Sequence, residues 1–170
     1  MNKNTAGRGP IIKEMIITPI AIKDPPLLNA AGLHAPYALR TIVELVTEDG
    51  IVGISEIPGN DAINSSLAEA AKIIIGRDVY QFGKLQQALN AHFGTDTSKD
   101  RGDAPWDQRK LVHVFSALEV ACLDIIGKVV NRPIVDLLGG KMRDAVPFAA
   151  YLFFKYEGAG GELGFGKAPN

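Results

Sequence analysis

The stretch over residues 117–154 constrains the fold of this chain more than any other segment. It reads ALEVACLDIIGKVVNRPIVDLLGGKMRDAVPFAAYLFF, which predicts a buried helix, a helical turn begun near Pro133, a Gly-Gly stop and an apolar strand over residues 146–154. In α/β architectures, active sites are built at the carboxyl ends of several such strands. One strand of this kind precedes the end of the 170 residues, so we interpret the chain as the front part of an enzyme.

Three further strands are predicted near the beginning of the chain. Residues 11–22 are rich in β-branched side chains and partly alternate, as a half-buried strand does. Residues 39–46 and 51–57 flank Thr47-Glu48-Asp49-Gly50, and Asp-Gly between apolar runs is a strong hairpin signal. We therefore expect an antiparallel meander. The segment DPPLLNAAGLHAPY between the first two strands is long and aperiodic, which favours an active-site loop.

The middle of the chain predicts a helical bundle. Apolar residues recur at helical spacing before Gly76, at Leu67, Ala70, Ala71, Ile74 and Ile75. A second helix is expected over residues 80–93, with an apolar face made of Phe82, Leu85, Leu89 and Phe93. Residues 109–128 are apolar on nearly every face, which predicts a central buried helix, whereas the polar segment 94–108 predicts a mobile surface loop.

Charge and cysteine content limit the function classes. The net charge of −1 leaves no electrostatic footprint for nucleic acid or for an anionic membrane surface. The single cysteine, Cys122, excludes an internal disulfide and a cysteine-based zinc cluster, which fits a reducing compartment. The first ten residues lack an apolar signal core, and no run approaches 18 apolar residues, so we expect a cytoplasmic protein.

Few residues carry an obvious chemical signal. The chain contains no GxGxxG, GxxxxGK[ST] or HExxH motif. Cys122 and His113 fall among apolar neighbours and are expected to be structural, and His92 is expected at the surface. Glu119 and Asp124 stand in the same apolar helix, so they must be paired or hydrogen-bonded. We interpret them as anchors to a loop or a neighbouring domain, with a catalytic carboxylate as the alternative.

His34 differs from the other two histidines because it lies in a Gly- and Pro-rich loop rather than in a periodic segment. Binding residues are disproportionately found on loops, and histidine can exchange protons near neutral pH. His34 is therefore a candidate for a ligand contact.

The order of these elements, together with two motifs, resembles a known domain. The motif E-x-A-x-x-D-x-x-G-K is followed by P-x-x-x-L-L-G-G, and the two comprise Glu119, Ala121, Asp124, Gly127, Lys128, Pro133, Leu137, Leu138, Gly139 and Gly140. This pattern resembles the N-terminal capping domain of the mandelate racemase and muconate lactonising branch of the enolase superfamily. More narrowly, residues 29–36 (NAAGLHAP), 56–59 (EIPG) and 151–154 (YLFF) resemble glucarate dehydratase and its relatives.

The resemblance implies the fold class and the domain organisation. The fold is expected to be α+β, with a three-stranded antiparallel meander followed by a helical bundle and by the first strand of a (β/α)₈ barrel that is otherwise absent. The capping domain would cover residues 1–144, and residues 145–170 would begin the truncated barrel domain and end in a disordered glycine-rich tail. A complete barrel takes about 250 residues, for which this chain has no room.

The resemblance also implies an activity, the dehydration of sugar diacids. In that family a base removes the proton α to a carboxylate, Mg²⁺ stabilises the enediolate, and the β-hydroxyl leaves as water. The family carries its K-x-K base motif and its metal ligands on later barrel strands, and no K-x-K occurs in the 170 residues. We therefore expect no catalytic residue and no metal ligand in this chain, which by itself would be inactive and bind no Mg²⁺ specifically.

Four residues are implied to bind substrate. His34 matches the family's substrate-contacting histidine, which would meet a carboxylate or hydroxyl of the diacid. Tyr151 matches a tyrosine at the end of the first barrel strand, and Phe153 would line the pocket wall. Asn29 lies in the loop of His34 and would either contact substrate or hold the turn of the loop. For Tyr151 and Phe153 the alternative is ordinary strand packing.

Other interpretations remain open. Glucarate dehydratases are expected to place a threonine in their second loop, but this chain has Ala104-Pro105-Trp106-Asp107, so a relative acting on another acid sugar is an alternative. The chain could also be a stand-alone binding or oligomerisation module, although its last strand would then be an exposed apolar edge. A split enzyme with its barrel on a second chain is a third possibility. The full-length enzyme is expected to be a homo-oligomer.

Overall fold

The computed structural model describes residues 9–23, 28–29, 32–33, 37–94 and 110–150. Its strands are β1 (Ile12–Lys23), β2 (Leu28–Asn29), β3 (Gly32–Leu33), β4 (Tyr37–Thr47) and β5 (Val52–Pro58). Strands β1, β4 and β5 form an antiparallel sheet in that order, which confirms the predicted meander. Strands β2 and β3 form a second, two-stranded sheet inside the long loop, where the sequence analysis expected no regular element.

The turn between β4 and β5 has the geometry that its Asp-Gly pair predicts. The Thr47 N–H donates to the Ile51 carbonyl at 2.9 Å, and the Gly50 N–H donates to the Thr47 carbonyl at 2.9 Å. Gly50 has a φ of +79°, a conformation that glycine adopts without steric cost. The turn therefore fixes the register of the two strands.

The helices follow the sheet. They are α1 (Asp61–Ile74), a 3₁₀ turn (Val79–Gln81), α2 (Phe82–Phe93), α3 (Lys110–Val130) and α4 (Ile134–Leu137). The Asn60 side chain caps α1 by accepting the Ile63 N–H at 2.8 Å. Ile75 was expected on the apolar face of α1 but lies beyond its end and is half exposed, because its backbone is already extended and Gly76 then turns the chain at φ +83°.

One hydrophobic core joins the sheet to α1, α2 and α3. Leu85 and Leu89 are buried on α2, as their spacing predicted, while Phe82 and Phe93 are partly buried. The other fully buried apolar side chains come from β1, β4, α1, the 3₁₀ turn and α3, and include Ile12, Val43, Leu45, Ile63, Leu67, Ala70, Ile74, Val79, Val114, Ala117, Leu118, Ala121 and Ile125.

Helix α3 is the central helix of the bundle, as predicted, but it is buried along one side only, although apolar residues occupy nearly every face. Val112 is 60% exposed, and Val120, Val129 and Val130 are also exposed. The reason is geometric, because the contacts of α3 are with β5, β4, α1, α2 and the turns beside them. Apolar composition alone does not reveal which side of a helix has a neighbour. No helix in the described part combines the length and the apolar character that a bilayer crossing requires.

The strand expected over residues 146–154 is not formed in its first five residues. Residues 146–150 belong to no strand of the described structure, and Phe148 is 92% exposed. A strand is defined by its hydrogen bonds to a neighbouring strand, and the local sequence cannot supply that neighbour. Residues 151–154 lie outside the described part. The Gly-Gly stop before this segment is confirmed, since Gly139 and Gly140 have φ values of +104° and +98°.

Helix α3 packs directly on the backbone of β5. A Cβ placed on Gly53 would overlap the carbonyl oxygen of Ala121 and would lie 2.6 Å from the Cγ1 of Ile125. Real Cβ atoms essentially never come so close, and the obstructing atom is backbone, which cannot rotate away. Position 53 must therefore be glycine for the helix to reach the sheet at this distance.

Replacing Gly53 by alanine should destabilise the chain, because either α3 or β5 must shift. We expect a loss of about 1–3 kcal/mol in the free energy of unfolding, the usual cost of overpacking a core. The matched control is Gly83→Ala on α2, where the added Cβ meets no atom within 4 Å. That change should be neutral or stabilising by about 0.5–1 kcal/mol. Urea unfolding of the two variants checks the prediction, and equal midpoints would contradict it.

Cys122 is buried in α3, as expected for a core thiol. Burial, and secondarily the nearby Glu119 carboxylate, raises the pKa of the Cys122 thiol from its ordinary value of 9.0 to about 12. The thiol therefore stays protonated in the folded chain at pH values where the unfolded chain releases its proton.

The raised pKa of Cys122 should make stability fall with pH above about 9. Below that pH both states hold the proton and the contribution is complete; between pH 9 and 12 the unfolded state gains by ionising. The free energy of unfolding should drop by up to about 1.4 kcal/mol per pH unit from this group. Chemical unfolding at pH 8 and pH 10 tests this in the parent and in Cys122→Ala, which should lack this component. The same pH dependence in both would refute it.

Candidate functional site

The loop that carries the predicted substrate contacts leaves and re-enters the sheet at one end. Lys23 at the end of β1 is paired with Tyr37 at the start of β4, so residues 24–36 are anchored on both sides. Within the loop, Asn29 is paired with Gly32. Asn29 thus lies in a short hairpin, whereas His34 falls outside the described residues, as do Tyr151 and Phe153.

A groove of about 260 Å³ lies beside this end of the sheet. It is bounded by the last part of β1, the first part of β4 and the beginning of α1, and its lining residues are Pro19, Ile20, Ala21, Leu39, Arg40, Gly59, Asn60, Asp61 and Asn64. The EIPG segment, residues 56–59, ends at this groove. The groove therefore includes the end of one of the segments, residues 56–59, on which the resemblance to glucarate dehydratases was based.

The EIPG segment is held by contacts to β4. The Arg40 Nε lies 3.1 Å from the Glu56 Oε1, and both side chains are substantially exposed, so this ion pair contributes at most about 1 kcal/mol. A Cβ on Gly59 would lie 2.6 Å from the Arg40 carbonyl carbon and 2.6 Å from the Thr41 Oγ1. Gly59 also donates its N–H to the Leu39 carbonyl at 3.0 Å. Close backbone packing therefore explains the glycine of this motif.

Thr41 and Asn64 connect the sheet to α1 beneath the groove. The Thr41 hydroxyl, which is buried, donates to the Asn64 Oδ1 at 2.7 Å. A buried hydroxyl without a partner would cost free energy, and this hydrogen bond satisfies it. The sequence analysis did not single out either residue. The one available signal was a threonine at an inward-facing position of a strand.

Asp124 has the structural role that its apolar surroundings predicted. Its Oδ2 accepts hydrogen bonds from the Ile54 N–H at 2.9 Å and from the Lys128 Nζ at 2.7 Å. The Lys128 Nζ also donates to the Val52 carbonyl at 2.6 Å. The anchoring interpretation is therefore confirmed for Asp124, but its partner is strand β5 and not a loop or a neighbouring domain.

The remaining motif glycine, Gly127, has a packing role. A Cβ at this position would lie 2.7 Å from the Arg132 carbonyl oxygen, and the Arg132 N–H donates to the Gly127 carbonyl at 2.9 Å. Asn131 then takes a φ of +52°, so the chain reverses tightly after α3. The E-x-A-x-x-D-x-x-G-K motif thus has a local structural explanation at Asp124, Gly127 and Lys128.

The other residues considered for chemistry lie on α2 and α3. His92 is exposed, as predicted, and its ring meets that of Phe93 edge-on with centroids 4.9 Å apart. His113 and Glu119 are partly buried on α3. Among the residues that the structure describes, no three side chains of His, Cys, Asp or Glu come together in a group able to hold a metal ion. The described part therefore does not offer the donor set of a magnesium site.

Comparison with known proteins identifies the family of the chain. Residues 14–139 match the N-terminal domain of the mandelate racemase / muconate lactonizing enzyme family. The chain is 45% identical over 150 residues to a probable glucarate dehydratase of Streptomyces coelicolor. The matched region covers 82% of this chain and 34% of that protein.

Several solved structures are similar to the chain in both fold and sequence. An enolase from Thermobispora bispora, complexed with magnesium and formate, is 45% identical with a TM-score of 0.82, over 91% of this chain and 37% of that one. An enolase from Pseudomonas fluorescens with bound magnesium, potassium and tartrate is 36% identical with a TM-score of 0.79. The match covers 88% of this chain and 36% of that one. The chain thus spans about a third of the length of these relatives. It belongs to the mandelate racemase / muconate lactonizing enzyme family of the enolase superfamily and carries that family's N-terminal domain.

Proposed function

We propose that this chain is the substrate-capping part of an acid-sugar dehydratase of the glucarate type. The observation that carries the proposal is the 45% identity to a probable glucarate dehydratase over most of the chain. The tartrate bound to the Pseudomonas fluorescens enolase supports a hydroxylated diacid as the class of substrate. The reaction would remove the proton α to a carboxylate and expel the β-hydroxyl as water.

The role proposed for this chain is to close the active site. Its long loop is held at both ends by the Lys23–Tyr37 pair of a rigid sheet, an arrangement suited to a lid that excludes water from the reaction. His34 would donate a hydrogen bond to a carboxylate or hydroxyl oxygen of the diacid. The Tyr151 hydroxyl would bond another substrate oxygen, and Phe153 would line the pocket wall. Asn29 pairs with Gly32 through the backbone, which favours a turn-holding role for this residue.

The chemical step would depend on residues beyond those of this chain. A proton α to a carboxylate is a weak acid, so its removal needs a positioned base and a divalent cation on the carboxylate oxygens. Magnesium is bound in both of the solved relatives described above, but the described residues of this chain do not offer its donor set. We propose that the base and the Mg²⁺ ligands belong to a barrel domain that begins near residue 145, after a capping domain over residues 1–144. A homo-oligomeric, cytoplasmic enzyme is part of the same proposal.

A second candidate is a dehydratase for a different acid sugar. Where the glucarate enzymes are expected to offer a threonine hydroxyl, this chain has Ala104-Pro105-Trp106-Asp107. Proline and alanine cannot donate that hydrogen bond, so the preferred diacid would differ in the configuration or number of its hydroxyl groups. A screen of stereoisomeric sugar diacids distinguishes the two candidates.

Substitution of His34 should impair the full-length enzyme that contains this sequence. We expect His34→Ala to lower kcat/KM for its sugar diacid by about 10- to 100-fold, because a hydrogen bond to a charged group contributes about 1.5–3 kcal/mol. Formation of the α-keto acid product in the presence of Mg²⁺ is the measurement. His92→Ala, at an exposed position on α2, is the matched control and should leave kcat/KM unchanged.

Two results would contradict this proposal. Equal effects of the two histidine substitutions would remove His34 from the substrate site. Failure of the full-length enzyme to dehydrate any sugar diacid in the screen would overturn the proposed activity itself.

The 170-residue chain alone should neither bind Mg²⁺ tightly nor dehydrate a sugar diacid. Isothermal titration with MgCl₂ should give no more than weak, non-saturating heats, because the described residues provide no cluster of three potential ligands. Tight one-to-one binding would show that the chain carries its own metal site and would refute the proposal that a later domain supplies it.

A further inference from the structure

Strand β5 is the last strand on its side of the described sheet, so one row of its backbone groups faces away from β4. The hydrogen bonds from the Thr47 N–H to the Ile51 carbonyl and from the Gly59 N–H to the Leu39 carbonyl show which backbone groups point toward β4. In an antiparallel pair the facing residues alternate, so the odd-numbered residues of β5 bond to β4 and the even-numbered ones face the outer edge. The outward positions are therefore 52, 54, 56 and 58.

At three of these four outward positions, one backbone group is unavailable to a further strand. The Val52 carbonyl accepts from Lys128 and the Ile54 N–H donates to Asp124, both from α3. At position 58 the residue is proline, which has no N–H to offer. An exposed edge strand is a template for pairing with another chain, and native proteins protect such edges with charges and prolines.

The opposite edge strand, β1, also has a proline at an outward-facing backbone position. Pro19 of β1 lies opposite Thr41, and Thr41 bonds toward β5, so the nitrogen of Pro19 faces the outer edge of β1. A proline at an outward position of each edge strand is compatible with the sheet only because no ladder hydrogen bond is needed there. At β5, the charged side chains of Asp124 and Lys128 on α3 protect the edge in addition to the proline.

We propose that Asp124 and Lys128 cap the outer edge of β5 and prevent it from pairing with β5 of a second copy of this chain. The pair substitutes for a neighbouring strand, since Asp124 supplies an acceptor and Lys128 a donor to consecutive outward residues. The two side chains also bond to each other at 2.7 Å, which holds both in place. Because Asp124 and Lys128 are four residues apart on α3, both reach the same edge.

The uncapped edge would fit a second copy in antiparallel orientation. Pairing centred on Ile54 would place Ile54 opposite itself and Val52 opposite Glu56, so no like charges would oppose each other. Ile54 is 48% exposed, and two such side chains would bury apolar surface on contact. Self-pairing is therefore the association that the cap suppresses.

The experiment is sedimentation velocity of the 170-residue chain over about 5–500 μM. We expect the Asp124→Ala/Lys128→Met double variant to reach at least twice the weight-average mass of the parent at the highest concentration. Adding Ile54→Lys should return the mass to that of the parent, because a lysine on an edge opposes strand pairing. Ile63→Val, a buried change on α1 away from β5, controls for association caused by lost stability.

Several outcomes would overturn the proposal. These are a parent-like mass for the double variant, the same association in Ile63→Val at matched unfolding midpoint, and a failure of Ile54→Lys to reverse the association. Should the double variant not fold, amide hydrogen exchange of Asp124→Ala gives the second measurement. The Ile54 amide should exchange at least tenfold faster than in the parent at low concentration, and in Asp124→Asn, which keeps an acceptor oxygen, much of the protection should return. An unchanged rate at Ile54 in Asp124→Ala would refute the cap.

Discussion

The approach of α3 to β5 at Gly53 is the contact on which the rest of this domain depends. With the Ala121 carbonyl over the glycine backbone, the next turns of the helix bring Asp124 to the Ile54 N–H and Lys128 to the Val52 carbonyl. The same approach buries Cys122 and Ile125 in the core shared with α1 and α2. A single glycine on a strand thus sets the position of a 21-residue helix.

The sheet consequently has one edge, β5, that is covered by α3, and one end, where β1 and β4 meet, that is available for function. Along β5, side chains and backbone are engaged by α3, whereas the end where β1 and β4 meet carries the long loop and the neighbouring groove. Binding residues on loops need a rigid scaffold, because a misplaced contact loses much of its effect. The Thr41–Asn64 hydrogen bond and the tight packing at Gly59 keep this end rigid. The proposed capping function relies on this division.

Much of the fold could be predicted from the sequence because its signals are local. The partial alternation in β1, the Asp-Gly turn between two apolar runs, the apolar face of α2 and the Gly-Gly stop all depend on residues within a few positions of one another. The predictions that failed depended on distant partners. Apolar residues of α3 such as Val112 were expected inside, and residues 146–150 were expected in a strand, but neither burial nor strand pairing follows from composition when the neighbour is unknown.

The sequence by itself determined the kinds of element, their order and the family motif, since hydrophobic period and turn chemistry act over short distances. It also indicated that Asp124 needed a partner, because a carboxylate in an apolar helix must be satisfied. Only the tertiary structure decided which partner it has. Ile54 lies 70 residues away along the chain, and the meeting of the two depends on how closely the helix can approach the sheet. The tertiary structure also explains the glycines at positions 53, 59 and 127. The need for a residue without a Cβ depends on the atoms that a Cβ would meet, and these atoms belong to distant parts of the chain or to the following turn.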